Sequence, residues 1–261
     1  MRIVVLMSSL RKKGNTDQVV DILTENLQKT AVSSQEAIEI ETLDLGYLHI
    51  DPCRGCRTCF DRGEEFCPLK DDMMEIKNKI RAADGIIVAS PVYVDDINGV
   101  MKNWIDRLAH VCHRPEFAGK SAYLLVTVGS TRTSHALRTL DTALRTWGFS
   151  IIGKAGFKTH AKMEKNKIET LYGQRLTGAA KSIFLSIKRQ GYKKPSFVSL
   201  MIFKIQQIGW SRENPATIDY QYWQKQGWLD NDCEFFIQHE ASHLKTGVAR
   251  LVGSIVAKFM L

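Results

Sequence analysis

Five short strand-like segments, separated by stretches of helical spacing, constrain this chain most. Four are apolar runs, Ile3–Met7, Gly85–Ala89, Ala122–Val128 and Phe149–Ile152, and one, Ile38–Leu43, alternates apolar and acidic residues as an outer strand does. Between them, Asn15–Lys29, Asp71–Ala83, Ile97–Val111 and Ser134–Thr146 space their apolar residues as helices do. In the first of these, Val19, Val20, Ile22, Leu23 and Leu27 share one side. A continuous, β-branched run such as Ile3–Leu6 fits a strand buried on both faces. Strands alternating with helices imply right-handed crossovers and a doubly wound, five-stranded parallel sheet covered on both sides. Such sheets take ligands beyond the C-terminal strand ends, near the point where strand order reverses. Three loops are expected to meet there: 8–16, 90–98 and 129–135.

The pattern stops near residue 157, and so does the charge balance. Residues 1–157 hold 20 Lys/Arg and 20 Asp/Glu, whereas residues 158–261 hold 16 and 8, together with 13 of the 23 aromatic residues. We therefore divide the chain into an α/β domain, 1–157, and a basic, aromatic extension, 158–261. The extension has no strand pattern. It reads as helices over 167–189, 197–208, 220–226 and 241–259, with breaks at 191–195 and 211–215. A helical cap packed on the domain or on a partner subunit is the favoured role. Membrane-surface contact through 241–261 comes second. Nucleic-acid binding is not expected, because no recognised module appears and the net charge of +8 is confined to the extension. The apolar run 248–261 is short and carries Arg250 and Lys258, which excludes a spanning helix. At the N-terminus, Arg11-Lys12-Lys13 follows the apolar run instead of preceding it, so no signal peptide is read and a cytoplasmic protein is expected.

Two segments carry chemistry. Ser8 to Thr16 joins the first strand to the first helix and contains Ser9, Arg11, Gly14, Asn15 and Thr16. Hydroxyls, a guanidinium and the free N–H groups of a helix start together suit a phosphate dianion. The competing reading is a solvated turn capped by Asn15 or Thr16. The loop has neither the GxxxxGK[ST] nor the GxGxxG pattern, so ATP and Rossmann-type NAD fit poorly. The second segment is Cys53-x-x-Cys56-x-x-Cys59, then seven residues and Cys67-Pro68. Three thiols at three-residue steps, with Pro after the last Cys, match ferredoxin spacing more closely than a structural zinc site. Bare thiols, a zinc knob and a dithiol switch remain alternatives. Cys112 and Cys233 stand alone and read as structural. His110 and His113 read as a polar helix end, and Lys102, Asp106 and Arg107 as helix-surface or dimer-contact residues.

These segments resemble the NADPH-dependent FMN reductase family. Ser8–Thr16 is similar to that family's Gly-Ser-x-Arg-x-x-Gly-Asn-Thr loop, with Ser8 where Gly is usual. Ser90-Pro91-Val92-Tyr93, followed by a helix containing Lys102-x-x-x-Asp106-Arg107, resembles its second motif, and Val126–Ser130 its third. The likeness spans roughly residues 1–155. It implies a flavodoxin-like fold binding FMN through Ser9, Arg11, Asn15, Thr16, Pro91, Val92, Tyr93, Gly129 and Ser130. In this reading Pro91 fixes the turn after the third strand, Tyr93 stacks on or edges against the flavin ring, and His135 lies near it. The cysteine segment resembles that of the iron–sulfur flavoproteins, a branch of the same family. There the resemblance implies a [4Fe–4S] cluster on Cys53, Cys56, Cys59 and Cys67, ringed by Arg54, Arg57 and Arg62, in a homodimer or tetramer. The expected activity is electron transfer between NAD(P)H, or a small-molecule or protein carrier, and an acceptor. A cluster-free NAD(P)H-dependent FMN or quinone reductase is the alternative within enzymes. A non-catalytic, membrane-peripheral flavin-binding protein is the alternative outside them.

Overall fold

The computed structural model describes residues 1–189 and 194–260. Strand and helix alternate as β1 (Arg2–Met7), α1 (Asn15–Ser33), β2 (Glu39–Asp44), α2 (Thr58–Asp61), α3 (Met73–Ala82), β3 (Gly85–Tyr93), β4 (Asp96–Ile97), α4 (Gly99–Arg107), β5 (Ser121–Val128), α5 (Ser134–Thr146) and β6 (Ser150–Lys158). Five strands pair in parallel in the order β2–β1–β3–β5–β6, and β4 folds back antiparallel on β3.

Side chains alternate across the strands, so consecutive residues serve opposite faces. Val4, Leu6, Ile86, Val88, Leu124 and Val126 pack under α3, α4 and α5 with Ile76, Trp104 and Leu140. Ile3, Val5, Ile87 and Leu125 pack under α1 with Leu23 and Leu27. That second layer is completed by α6 (Lys165–Lys188), whose Leu176, Ile183 and Phe184 are buried in the same cluster. Every strand residue from Ile3 to Leu6 is fully buried, which explains the unbroken apolar run.

The structure corrects several expected boundaries. Pro91 does not end the third strand: β3 continues to Tyr93, and Pro91 is paired with Thr127 of β5. The residues paired with β1 stop at Ala89, so the missing Pro N–H forfeits no bond on that side. Helix 97–111 is two pieces, α4 and a 3-10 turn over Ala109–Cys112. The last strand runs to Lys158, although Gly153 and Gly156 weaken its strand signal. Gly153 is required there, since a Cβ would come 2.6 Å from the Tyr123 ring.

The remaining extension comprises α7 (Phe197–Ser211), α8 (Ile218–Lys225) and α9 (His243–Met260). Of the break expected at 191–195, residues 191–193 lie outside the described residues. Phe203, Trp223 and Trp228 form a separate buried cluster with Trp210, Tyr222, Phe235 and Phe236 around it. This cluster lies against the α/β domain, where Trp223 Nε1 donates to the His113 carbonyl at 2.8 Å.

Candidate flavin and cysteine site

The strand order reverses between β1 and β3, and the loops leaving those strands lie together. The Ser8 and Ser90 hydroxyls are 3.1 Å apart, and Asn98 Nδ2 donates to the Ser8 carbonyl at 2.6 Å. The same Asn98 caps α4 by accepting from Met101 N–H. Thus the Ser8 hydroxyl is turned inward and takes up a buried partner. Thr16 joins the third loop, its hydroxyl 2.7 Å from that of Thr127. Asn15 donates to the Thr159 and His160 carbonyls and accepts from Met163 N–H. That fourth segment, after β6, was not anticipated from sequence.

The cap of α1 is Gly14, with no side-chain hydrogen bond to the first turn. Neither Asn15 nor Thr16 caps it, because both side chains are engaged elsewhere. No side chain caps the first turn, and the helix dipole stands behind its N–H groups, but the Asp17 carboxylate lies among the Lys13, Gly14 and Asp17 N–H groups and the Ser9 hydroxyl and already draws on them. Ser9 lies beside them, its hydroxyl accepting from Arg11 N–H, and the Arg11 side chain is exposed. Gly14 cannot take a side chain, since a Cβ would sit 2.8 Å from the Arg11 carbonyl.

Across the reversal point, Tyr93 is 45 % exposed. Val92 pairs with Ile97 and Tyr93 with Asp96, so Val94 and Asp95 form the turn of a two-residue hairpin. Both have positive φ, 49° and 69°, as a primed hairpin turn requires. Val94 is a β-branched residue in a strained conformation and is fully exposed. Gly129 and Ser130 are exposed at the end of β5, and a Cβ on Gly129 would meet nothing. His135 lies 3.9 Å from Asp96.

All four clustered cysteines are free thiols; Cys53 and Cys56 are exposed, Cys59 and Cys67 half-buried. Left-handed turns at Gly55 and Arg57 curl the loop. Gly55 N–H donates to Cys53 Sγ at 3.5 Å, Thr58 Oγ1 is 3.3 Å from Cys56 Sγ, and Arg107 Nη2 is 3.9 Å from Cys67 Sγ. The Thr58 hydroxyl holds the Cys56 thiol below its usual range. Burial, and then the charge of Cys53, push Cys59 above it.

Arg107 is not a surface residue. Its side chain is buried against the equally buried Asp71 carboxylate, and it also donates to the Asp51 carbonyl at 2.8 Å. Arg114 is likewise buried, donating to the Cys59 carbonyl at 2.6 Å and pairing with Asp219 of α8. His113 Nδ1 lies 2.7 Å from the same carboxylate, and its ring packs edge-on against Phe60. The extension is thereby fastened to the cysteine loop. Sequence reading missed Arg107 and Arg114 as site residues, and partners 36 and 105 positions away leave no local signal. Asn98 was findable as a cap before a helical run.

Behind the loop, Lys77 is buried between Glu64 and Glu116, 2.8 and 2.5 Å away, with His110 Nε2 at 2.9 Å. Burial, then the Lys77 ammonium, push His110 down to about 3. The imidazole is neutral near pH 7 and accepts from Lys77, so its approach to Glu64 is not an ion pair. Among the described residues, Glu64, His110 and Glu116 form the only group of metal-type ligand atoms all within 4.8 Å of one another. Three cations, Lys77, Arg81 and Arg114, already occupy its carboxylates.

A parallel sheet reversing at an uncapped helix start, with apolar and backbone-rich loops opposite, defines a flavodoxin-like flavoprotein. Comparison with known proteins makes this specific: the profile of the family described as NADPH-dependent FMN reductase matches residues 1–162. The chain belongs to that family and is an FMN-dependent oxidoreductase. An iron-sulfur flavoprotein of Archaeoglobus fulgidus is 31 % identical over 156 residues, 59 % of this chain and 67 % of that protein. Another, from Methanosarcina thermophila, is 31 % identical over 158 residues, 59 % of this chain and 78 % of that protein. Among solved structures, an NADH:FMN oxidoreductase aligns with a TM-score of 0.52 at 19 % identity, covering 71 % of this chain and 89 % of that one. A flavoenzyme NAD(P)H:(acceptor) oxidoreductase from Paracoccus denitrificans aligns at 0.50 and 17 % identity, covering 73 % and 98 %. These two likenesses concern the fold.

Proposed function

We propose that this oxidoreductase carries a [4Fe–4S] cluster on Cys53, Cys56, Cys59 and Cys67 beside FMN, and relays electrons between them. The observation that carries the reading is the donor set. Four free thiols share one loop, and three of their sulfurs already have a hydrogen-bond donor or hydroxyl in reach. Such N–H···S and O–H···S contacts suit cluster thiolates. The iron–sulfur flavoprotein names of relatives spanning the same region support it.

The FMN phosphate would rest on the α1 N–H groups, Ser9 and Arg11. Asn15 and Thr16 shape that loop through their bonds to Thr159, His160 and Thr127. Pro91, Val92 and Tyr93 on one side, and Gly129 and Ser130 on the other, would flank the ring. Bound FMN supplies hydride acceptance and one- or two-electron chemistry, and a cluster supplies single electrons. The chain's own part is position and charge. Helix α4 begins at Asn98, which holds the phosphate-loop carbonyl of Ser8, and ends at Arg107, which reaches Cys67. Nine residues make about 13 Å of rigid helix between the two sites. Arg107 and Arg114 would act on a cluster chiefly as hydrogen-bond donors and as anchors of its loop, because Asp71 and Asp219 balance their charges. We place the protein in the cytoplasm, as a homodimer or tetramer, with NAD(P)H or a small carrier as donor. Among the described residues no helix is long and apolar enough to cross a membrane.

The test is EPR spectroscopy of anoxically purified protein reduced with dithionite. The proposal expects a low-temperature iron–sulfur signal that Cys59→Ser abolishes while FMN is retained. A yellow protein with four titratable thiols and no such signal would sink the cluster but leave the flavin reading standing.

A further inference from the structure

Helix α9 is packed inside out. It buries a small-residue stripe, Thr246, Ala249, Gly253 and Ala257, and it turns its large apolar residues to solvent. Gly253 marks the contact with α7, where a Cβ would stand 2.8 Å from the Met201 carbonyl. On the opposite side lie Leu244 (79 % exposed), Val248, Leu251, Ile255 and Phe259 (87 % exposed). Their spacing of four, three, four and four residues keeps them on one line, about 22 Å long. Helix α7 adds exposed Val198 and Ile202, one turn apart. In a helix folded for water the large residues face the core. A continuous exposed apolar surface of this kind marks an interaction site.

Charge identifies the partner. Residues 194–212 and 241–261 contain Lys194, Lys204, Arg212, Lys245, Arg250 and Lys258 and not one Asp or Glu. The rest of the chain is nearly balanced, with 30 Lys/Arg (36 minus these six) against 28 Asp/Glu. Lys204, Lys245 and Arg250 bond to Gln207, the Pro195 carbonyl and the Asn231 and Cys233 carbonyls, which leaves Lys194, Arg212 and Lys258 as the exposed cations of these segments; a second copy seated on this face by a two-fold axis would bring no carboxylate from either helix to pair them. An anionic lipid surface supplies both the apolar layer and the counter-charge.

We propose that α7 and α9 form a foot that rests on an anionic membrane surface, with the line from Leu244 to Phe259 entering the interface. The foot does not span the bilayer; it carries the redox domain to it. The inference is independent of what the cysteines hold.

Flotation of the full-length holoprotein with lipid vesicles tests it. Recovery with vesicles containing phosphatidylglycerol should exceed recovery with pure phosphatidylcholine, and should fall as salt screens the charge. The double variant Leu251→Glu, Ile255→Glu should lose binding by about a hundredfold, roughly tenfold per buried side chain. Its flavin content and NAD(P)H oxidation should stay unchanged. The proposal is overturned if the wild type floats with neither vesicle, or equally with both. It is also overturned if the double variant instead splits a wild-type dimer on size-exclusion chromatography while flotation is absent.

Discussion

Arg107 and Asp71 lie 36 positions apart, yet their side chains are the best-buried ion pair near the cysteines. Burial by itself would raise the Asp71 carboxyl; the Arg107 guanidinium and the Asp51 and Met73 N–H groups outweigh it and hold the carboxyl below its usual range. Removing only the cation strands a buried charge, which costs about 3–5 kcal/mol. Urea unfolding of Arg107→Met should show that loss, and Arg107→Met with Asp71→Leu should recover most of it. Glu64 makes the pH dependence explicit. Burial opposes its ionisation, but the Lys77 ammonium wins and brings it down to about 2 from an ordinary value of 4.5. Its stabilising contribution is therefore complete above pH 4.5 and disappears as pH falls toward 2. Acid unfolding of Glu64→Gln should be flatter than wild type across that window. Val94 is strained and buries nothing, so Val94→Asn should raise stability by about 1 kcal/mol. Since Val94 turns the hairpin beside Tyr93, any accompanying loss of turnover would mark the strain as functional. On the phosphate side, Arg11→Ala should weaken FMN about tenfold and leave riboflavin affinity unchanged, as measured by fluorescence titration.

At the scale of elements, hydrophobic period was a sound guide where one element buries one uniform face. The runs at Ile3–Met7 and Ala122–Val128 match β1 and β5 closely because both faces are covered. The period failed where pairing decided the outcome. Strand β6 holds Gly153, Lys154 and Gly156 because β5 and the Tyr123 ring require the backbone there. The break into α4 and a 3-10 turn had no local marker. In the candidate site, the loop 8–16 and the four cysteines are legible as motifs, whereas Arg107, Arg114 and Asp219 meet only through the tertiary fold. The helical reading of the tail was right in outline, but α6 belongs to the sheet's second layer and only 197 onward builds the aromatic cluster. That cluster holds α8 over the cysteine loop through Trp223 and Asp219. Trp223→Ala should cost about 3–5 kcal/mol locally. Hydrogen exchange should then quicken in 197–260 and around Cys59, with β1, β3 and β5 unchanged.

Over the whole molecule, the positive excess falls mainly on 158–189, which contains α6 of the sheet's second layer: residues 1–189 hold 28 Lys/Arg against 22 Asp/Glu, and residues 190–261 hold 8 against 6. The sheet places the proposed phosphate loop at one end of α4 and a set of thiols at the other, and the extension fastens the thiol loop from outside. An FMN reductase without a cluster needs only the first of these. The proposed second redox centre in the same chain would account for the rest of the architecture. The most direct measurement is the ratio of iron and acid-labile sulfide to FMN in protein purified without oxygen. The account predicts about four iron and four sulfide per FMN. One zinc, or FMN with no iron and no sulfide, would contradict it.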